Sequence, residues 1–319
     1  MPLPRLLDLV LNTNARLLRT RPEFVQRIRR LAAGRAEVFV TSSLQELERA
    51  SAAIAARPAP ADGTKRRVVL CGGDGTLMAG VTALDRCFQD DPMPELVLAP
   101  AGTVASVARN WGQTRGVLET VRGALDGKLG SAVVRPTLRV GEIGGATRIG
   151  FTFGTGLVAR FFDRYYDAGG GGYRTAARIV ARVFVGSFVS DEYSRSVLDP
   201  IPCVLSVDGA ERAPPAYSLI IASVIRDVGL HLLVTYRGGE DPDRPHLVAA
   251  PLPPRALGPQ APRVFLGRPL VGDGCFDGLA SSFSVHFSND NGPYVLDGDV
   301  FRAREVTVRA GPRIHVVTA

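Results

Sequence analysis

The first third of the chain alternates two hydrophobic periods. Near-continuous apolar runs in LLDLVLN (6–12), AEVFVT (ending at Thr41), RRVVLCGG and ELVLAP carry the signature of buried strands. Helical spacing separates them. Over 22–33, Phe24, Val25, Ile28 and Leu31 share one side of a predicted helix. Ser42 or Ser43 would cap a second helix running to Ala56, with Glu46 near the capping-box position. Residues 76–88 and 104–111 read as two more helices. Strand alternating with helix predicts a parallel sheet covered on both faces, whose ligands bind where strands hand over to helices.

Beyond about residue 131 the pattern changes. AVVRPTLRV, TRIGFTFGTG, CVLSVDG, AYSLIIASVI, LHLLVTY, SSFSVHF and REVTVRA are strand-like runs separated by turn residues, with one helical stretch over 173–189. AAPLPPRALGPQAPR reads as a proline-rich surface loop. Two domains follow: an α/β domain over 1–131 and a mostly antiparallel β-rich domain over 132–319.

Composition narrows the classes. In 319 residues, 45% hydrophobic, Cys71, Cys87, Cys203 and Cys275 form no CxxC pair, which argues against a zinc site and a disulfide framework. The first residues lack a basic leader and read as a first strand, and no apolar run approaches a membrane span. A soluble, cytoplasmic protein is expected. A net charge of +7 favours anionic partners such as phosphorylated ligands or membrane surfaces. The arginines are dispersed without aromatic–basic motifs, so nucleic acid is not expected. His231, His246, His286 and His315 have no metal-ligand spacing and read as structural. The sequence does not fix an oligomeric state, a homodimer being one option.

The chemistry sits in VVLCGGDGTLMAG. A glycine-rich turn between strand and helix lets backbone N–H groups approach an oxyanion at the positive end of a helix. Asp74 fits there if a divalent cation lies between it and a phosphate, or if it takes a proton from an attacking hydroxyl. The alternative is a tight turn with Asp74 as helix N-cap. LAPAGTVASVAR repeats the arrangement at the next strand end, with Gly102 and Thr103 opening the helix. No Walker P-loop, protein-kinase motif set or GxGxxG is present.

GGDGT, PAGTVASVARNWG, LVGDGCFDG and YVLDGDVF, in this order and spacing, resemble the diacylglycerol kinase catalytic-domain family of lipid kinases, which includes sphingosine and ceramide kinases. The resemblance implies a Rossmann-like, NAD-kinase-like α/β domain followed by a β-sandwich. ATP would lie in the cleft between them, and the last strands would return to the first domain. It implies ATP contacts from Asn12, Thr41, Gly72, Gly73, Asp74, Gly75, Thr76, Leu77, Met78, Gly102 and Thr103. It places Asp74 beside the magnesium-bound phosphates and Asp299 as the base on a lipid hydroxyl. A structural magnesium would be held by the carbonyls of Leu270 and Cys275 and the carboxylate of Asp273. The implied activity is ATP- and magnesium-dependent phosphorylation of the primary hydroxyl of a neutral lipid, diacylglycerol or a ceramide-like sphingolipid, by an enzyme peripheral on the inner, anionic membrane surface. The chain departs from the family pattern at Met78 and Ala79 (usually Asn, Glu), Ala105 and Ser106 (usually Asn, Asp) and Asp299 (usually Glu). A catalytically weak nucleotide-binding regulator, or an NAD-kinase-like enzyme with a soluble acceptor, are the competing readings. On the acceptor side, Arg174, Arg178 and Arg182 would line one face of a helix whose Ile179, Val180, Val183, Phe184 and Phe188 supply apolar surface. Gly169–Gly172 reads as a hinge.

Overall fold

The structure is a computed structural model and describes residues 7–318 apart from 59–64, 90, 103–104, 170–171 and 290. These residues form two compact units. The first comprises the chain up to Arg135 together with Arg313 onward; the second is Pro136–Pro312.

In the first unit the elements run β1 (Leu7–Asn12), α1 (Arg16–Thr20), α2 (Glu23–Ala32), β2 (Glu37–Thr41), α3 (Leu44–Ala55), β3 (Arg67–Gly72), α4 (Asp74–Phe88), β4 (Glu95–Pro100), α5 (Ser106–Asn110), α6 (Val117–Leu125) and β5 (Ala132–Arg135). One six-stranded sheet has the order β2-β1-β3-β4-β19-β5. Its parallel strands include β19 (Ile314–Val317), and β5 lies antiparallel at the edge. Side chains alternate across a strand. Leu9, Leu11, Val69, Cys71, Val97, Ala99 and Val317 therefore pack on one face, against Leu18, Val25, Ile28, Val117 and Val121 of the helices. Buried Val10, Val68, Leu70 and Leu98 line the other face, where Leu70 touches Gly80 of α4 so closely that a Cβ there would fall 3.1 Å from Leu70 Cδ1. Ser43 caps α3 by accepting the Glu46 N–H, and Glu46 returns to Ser42 N–H.

The second unit continues with β6 (Leu138–Glu142), β7 (Thr147–Gly150), β8 (Thr152–Gly156), α7 (Leu157–Asp167), α8 (Tyr173–Ser187), α9 (Glu192–Leu198), β9 (Ile201–Val207), β10 (Ala210–Glu211), β11 (Ala216–Tyr217), β12 (Leu219–Ser223), β13 (His246–Ala250), α10 (Pro254–Leu257), a 3-10 turn (Gly258–Gln260), α11 (Ala261–Phe265), β14 (Phe276–Leu279), β15 (Ser282–Phe287), β16 (Gly292–Leu296), β17 (Asp299–Ala303) and β18 (Glu305–Ala310). They build two antiparallel sheets, β10-β9-β15-β18-β6-β7 and β14-β13-β12-β8-β16-β17, with β11 beside β9. Phe153 of one sheet meets Phe283 of the other edge-to-face at 5.5 Å and stacks on Tyr294 at 5.6 Å, so the sheets share an aromatic core.

Several expectations are corrected. LHLLVTY is a turn, because Leu230 and His231 both take positive φ (54° and 58°) and break the extended run. The proline-rich stretch folds into α10 and α11, with prolines in their first turns. TRIGFTFGTG is two strands broken at Phe151, and α7 and α9 join the single expected helix. Gly170 and Gly171 of the glycine run lie outside the described residues.

Candidate functional site

Four strand ends of the first unit converge. β3 ends at Gly72, Gly73 is the N-cap of the 15-residue α4, and no side chain caps that helix. The N–H groups of its first turn have no partner within the helix and carry its positive dipole end. The second loop closes against the first: Ala101 N–H donates to the Gly72 carbonyl (2.8 Å), and a Cβ on Gly102 would fall 2.5 Å from Gly73 Cα. Backbone therefore touches backbone, which only glycine at both positions allows. A small pocket opens here, lined by Gly72, Gly73, Asp74, Pro100, Ala105 and Ala108 among others.

The polar side chains of this region are engaged with the protein. The Asp74 carboxylate accepts the N–H groups of Ser106 (2.8 Å) and Val107 (3.1 Å) and so caps α5. The N-cap residue of α5, Ala105, offers no acceptor and sits in the left-handed region at φ 49°. Asp74 is thus not the cap of its own helix; it holds the neighbouring one. Burial raises its carboxyl above the ordinary range, against the pull of the two N–H donors and of Arg109. Asn12 donates from Nδ2 to Thr76 Oγ1 (2.7 Å) while its Oδ1 accepts the Asn14 N–H (2.9 Å). Thr41 is buried, and its carbonyl accepts both the N–H and the hydroxyl of Thr13. The structure thus gathers Asn12, Thr41, Gly72, Gly73, Asp74, Gly75, Thr76 and Gly102 at the carboxyl ends of β1 to β4; Leu77, though buried, also lines the pocket, whereas Met78 is buried in the core. Thr103 lies outside the described residues.

In the second unit, Asp299 opens β17 just after a two-residue Asp297–Gly298 turn, with Leu296 and Asp299 paired. Both turn residues have positive φ (50° and 94°), the geometry of a type I′ hairpin. Asp297 accepts the N–H groups of Phe151 and Thr152 (2.9 Å each), and Tyr166 Oη donates to the Gly298 carbonyl (2.7 Å). Asp299 itself is solvent-exposed, yet the protein around it pushes its carboxyl above the usual carboxylate range. Tyr166 is pushed up to about 12 by burial, with Asp299 and Tyr165 adding to the effect. Phe161, Phe162, Tyr165 and Tyr166 form an aromatic cluster along α7, with Phe162 against Gly298.

Leu270, Asp273 and Cys275 lie at the opposite edge of that sheet from Asp299, before β14 rather than β17. Five strand spacings separate the two edges, roughly 24 Å. The Gly272–Cys275 turn is closed by Cys275 N–H to the Gly272 carbonyl (3.2 Å). Among the described residues no group of three or more His, Cys, Asp or Glu is placed to share a cation. The turn offers one exposed carboxylate, Asp273, and peptide oxygens. Burial, with Asp273 and Asp277 nearby, holds the Cys275 thiol protonated above its usual range. A carboxylate with peptide oxygens is the kind of donor set a hard, water-retaining cation such as magnesium takes.

Sequence reasoning passed over Tyr166, Asp297 and the capping role of Asp74. The Asp-Gly pair was a readable hairpin signal for Asp297. Tyr166 bonds across 132 residues and left no local trace.

The family model of the diacylglycerol kinase catalytic domain matches residues 9–134. No curated protein matches the chain. Among solved structures, a diacylglycerol kinase from Bacillus anthracis str. Sterne is similar over 98% of this chain and 96% of its own, at 13% identity and a TM-score of 0.59. An NAD kinase from Archaeoglobus fulgidus in complex with ATP is similar over 98% and 92%, at 15% identity and a TM-score of 0.50. At these identities the likeness shows the fold, and it is the two-part fold described above. Residues 9–134 thus match the diacylglycerol kinase catalytic-domain family, and the chain as a whole shares the fold of these kinases.

Proposed function

We propose that this chain, on the strength of the family match over residues 9–134, transfers the terminal phosphoryl group of ATP to the primary hydroxyl of a neutral lipid, diacylglycerol or a ceramide-like sphingolipid. The observation that carries the reading is the uncapped N-terminus of α4 behind the Gly73–Gly102 contact. Phosphoryl transfer depends on positioning and charge neutralisation more than on covalent chemistry. Backbone N–H groups of Asp74, Gly75 and Thr76 bind the phosphates, and Asp74 fixes the second loop by capping α5. Asn12 orients Thr76.

Asp299 accepts the proton of the lipid hydroxyl as the phosphoryl group departs from ATP. Its raised carboxyl suits a general base better than an ordinary surface aspartate would. Magnesium, when bound with the nucleotide, supplies neutralisation of phosphate charge. A second, structural magnesium would be held by Asp273 and the carbonyls of Leu270 and Cys275. The reading places the enzyme in the cytoplasm, peripheral to a membrane.

A specific observation favours a second reading, a nucleotide-binding regulator. The Asp74 and Thr76 side chains are already bonded within the protein, and Met78, Ala79, Ala105 and Ser106 carry no charge. The test is transfer of labelled γ-phosphate into diacylglycerol, ceramide, sphingosine and monoacylglycerol in mixed micelles, with Asp299→Asn as control. A labelled product lost in the control supports the kinase and identifies its lipid. ATP binding by calorimetry without any product supports the regulator.

A further inference from the structure

Ile179, Val180, Val183, Phe184 and Phe188 read equally as a membrane-facing apolar face of α8 or as a core-packing face behind solvated arginines. The structure buries Ile179 against the second unit and turns a different strip outward. At 100° per residue, Arg174, Arg178, Arg182 and Val185 fall on one side of the helix, and Phe188 and Val189 follow its last residue, Ser187. Val185, Phe188 and Val189 are 67%, 55% and 68% exposed, and the three arginines are exposed as well. The strip is basic at its N-terminal half and apolar at its C-terminal end.

A neighbouring segment covers the buried side of α8. The 3-10 turn packs on α8 at Ser187, where a Cβ on Gly258 would fall 1.9 Å from Ser187 Oγ. Gln260 of that turn holds Val271 by two hydrogen bonds of 2.7 Å. Val271 and Leu266 of this segment are 59% and 64% exposed. Residues 254–271 carry Arg255, Arg263 and Arg268 and no carboxylate. The acidic groups on the elements packed against α8 include Asp191, which accepts the Ser194 N–H as the cap of α9, Glu192, and Asp163 and Asp167 of α7. Arg182 lies 3.9 Å over the Tyr193 ring, which leaves Arg174 and Arg178 as the outward cations of the helix.

Large aliphatic and aromatic side chains exposed together, ringed by arginines, have a chemical complement: a bilayer surface that offers acyl chains at its boundary and anionic headgroups above it. We propose that this surface, the exposed side of α8 with the two residues that follow it, docks the protein on an anionic bilayer, with Val185, Phe188 and Val189 entering the headgroup–acyl boundary and Arg174 and Arg178 meeting anionic headgroups. The proposal deepens the lipid-kinase reading, on which its biological sense rests, but its test does not depend on activity.

The test is co-sedimentation of the full chain with phosphatidylglycerol-containing vesicles and with pure phosphatidylcholine vesicles, without ATP and without any acceptor lipid. Two variants are compared: Phe188→Asp with Val189→Asp, and Arg174→Glu with Arg178→Glu. All four positions are exposed, and far-ultraviolet circular dichroism with thermal melting checks that both variants fold. The wild type is expected to bind the anionic vesicles and to lose affinity as salt rises. An arginine near such a surface is worth roughly fivefold, so the arginine variant should bind at least about thirtyfold more weakly. The aspartate variant should lose binding at all salt concentrations. Wild type that ignores anionic vesicles, or variants that bind as tightly as wild type, would overturn the proposal. So would a dimer in sedimentation velocity that the aspartate variant dissolves while vesicle binding is absent, which would assign the surface to a second copy of the chain. Loss of phosphotransfer with vesicle binding intact would count against the kinase reading alone.

Discussion

Replacing Asp74 by alanine separates what this carboxylate does for the fold from what it does for a ligand. Its two oxygens accept the N–H groups of Ser106 and Val107 at 2.8 and 3.1 Å. Hydrogen bonds to a charged group contribute about 1.5–3 kcal/mol each, so the gross loss is about 3–6 kcal/mol. The carboxyl is nevertheless raised by burial, so the folded protein already disfavours its charge, and removing it relieves part of that strain. The net loss should be about 2 kcal/mol. Burial of Val107 and Trp111 anchors α5 independently, at about 1.5–3 kcal/mol for a side chain of that kind, so the helix stays docked while its first turn opens more often. Amide exchange at Ser106 and Val107 should then speed up about thirtyfold, the factor equivalent to ~2 kcal/mol. Asp74→Asn is the sharper probe. Its single carbonyl oxygen serves one amide and its NH2 faces the other, so one of the two amides should lose protection and the other keep it. The assay is hydrogen exchange followed by NMR, with urea unfolding for global stability. Unchanged exchange at both amides in Asp74→Ala would refute the capping role.

Gly102→Ala puts a Cβ 2.5 Å from Gly73 Cα, and the backbone cannot yield as a side chain would. It should cost about 1–3 kcal/mol in urea unfolding and weaken ATP binding in calorimetry; a fully active, equally stable variant would contradict the close contact. Tyr166→Phe removes the 2.7 Å bond to the Gly298 carbonyl and should cost at most about 1 kcal/mol of stability while lowering kcat with KM for ATP unchanged; an unaltered kcat would show that Tyr166 does not position Asp299. Asp8 is fully buried, 2.8 Å from Arg57, and burial raises its carboxyl despite that cation. A raised carboxyl adds stability below its unfolded value, near 3.9, and loses it as pH climbs through the folded value. Asp8→Asn should therefore gain relative to wild type between pH 4 and pH 7, since Arg57 keeps Glu37 at 3.3 Å; urea midpoints at both pH values check it, and a variant that loses ground as pH rises would reverse the sign.

The alternating first unit was legible because each element announces itself locally. β1, β2, β3 and β4 are apolar runs, and Ser43 with Glu46 forms a readable cap. The second unit was harder for identifiable reasons. LHLLVTY has strand composition, but nothing in its residue types forces Leu230 and His231 to positive φ. The proline-rich stretch looked like a loop because proline stops most helices, whereas here it starts short ones. At the candidate site, the glycines were legible as a close-approach turn. What they approach was not: Gly73 meets Gly102, 29 residues on, and Asp74 meets Ser106, 32 residues on. Such partners are set by the stacking of β3 beside β4, which no spacing along the chain records.

The aspartates of the chain divide by what their oxygens hold. Asp208 and Asp297 are the same device used twice. Each opens an Asp-Gly turn at φ 50°, in VDGA and in LDGD. Each accepts two adjacent backbone N–H groups from a neighbouring strand, Ser281 and Ser282 for Asp208, Phe151 and Thr152 for Asp297. The VDGA turn joins β9 to the two-residue β10, so this device by itself makes a hairpin and no chemistry. Asp74 does likewise for α5. A carboxylate already accepting two N–H groups is fixed in orientation and has about half of its acceptor directions taken. Asp299 differs from all three: it follows the turn instead of forming it, is open to solvent, and has a raised carboxyl. The shared Asp-Gly turn therefore explains why Asp297 is there. Under the proposed kinase reading it leaves Asp299 as the free base of these four, and backbone N–H groups rather than the Asp74 side chain to meet a phosphate.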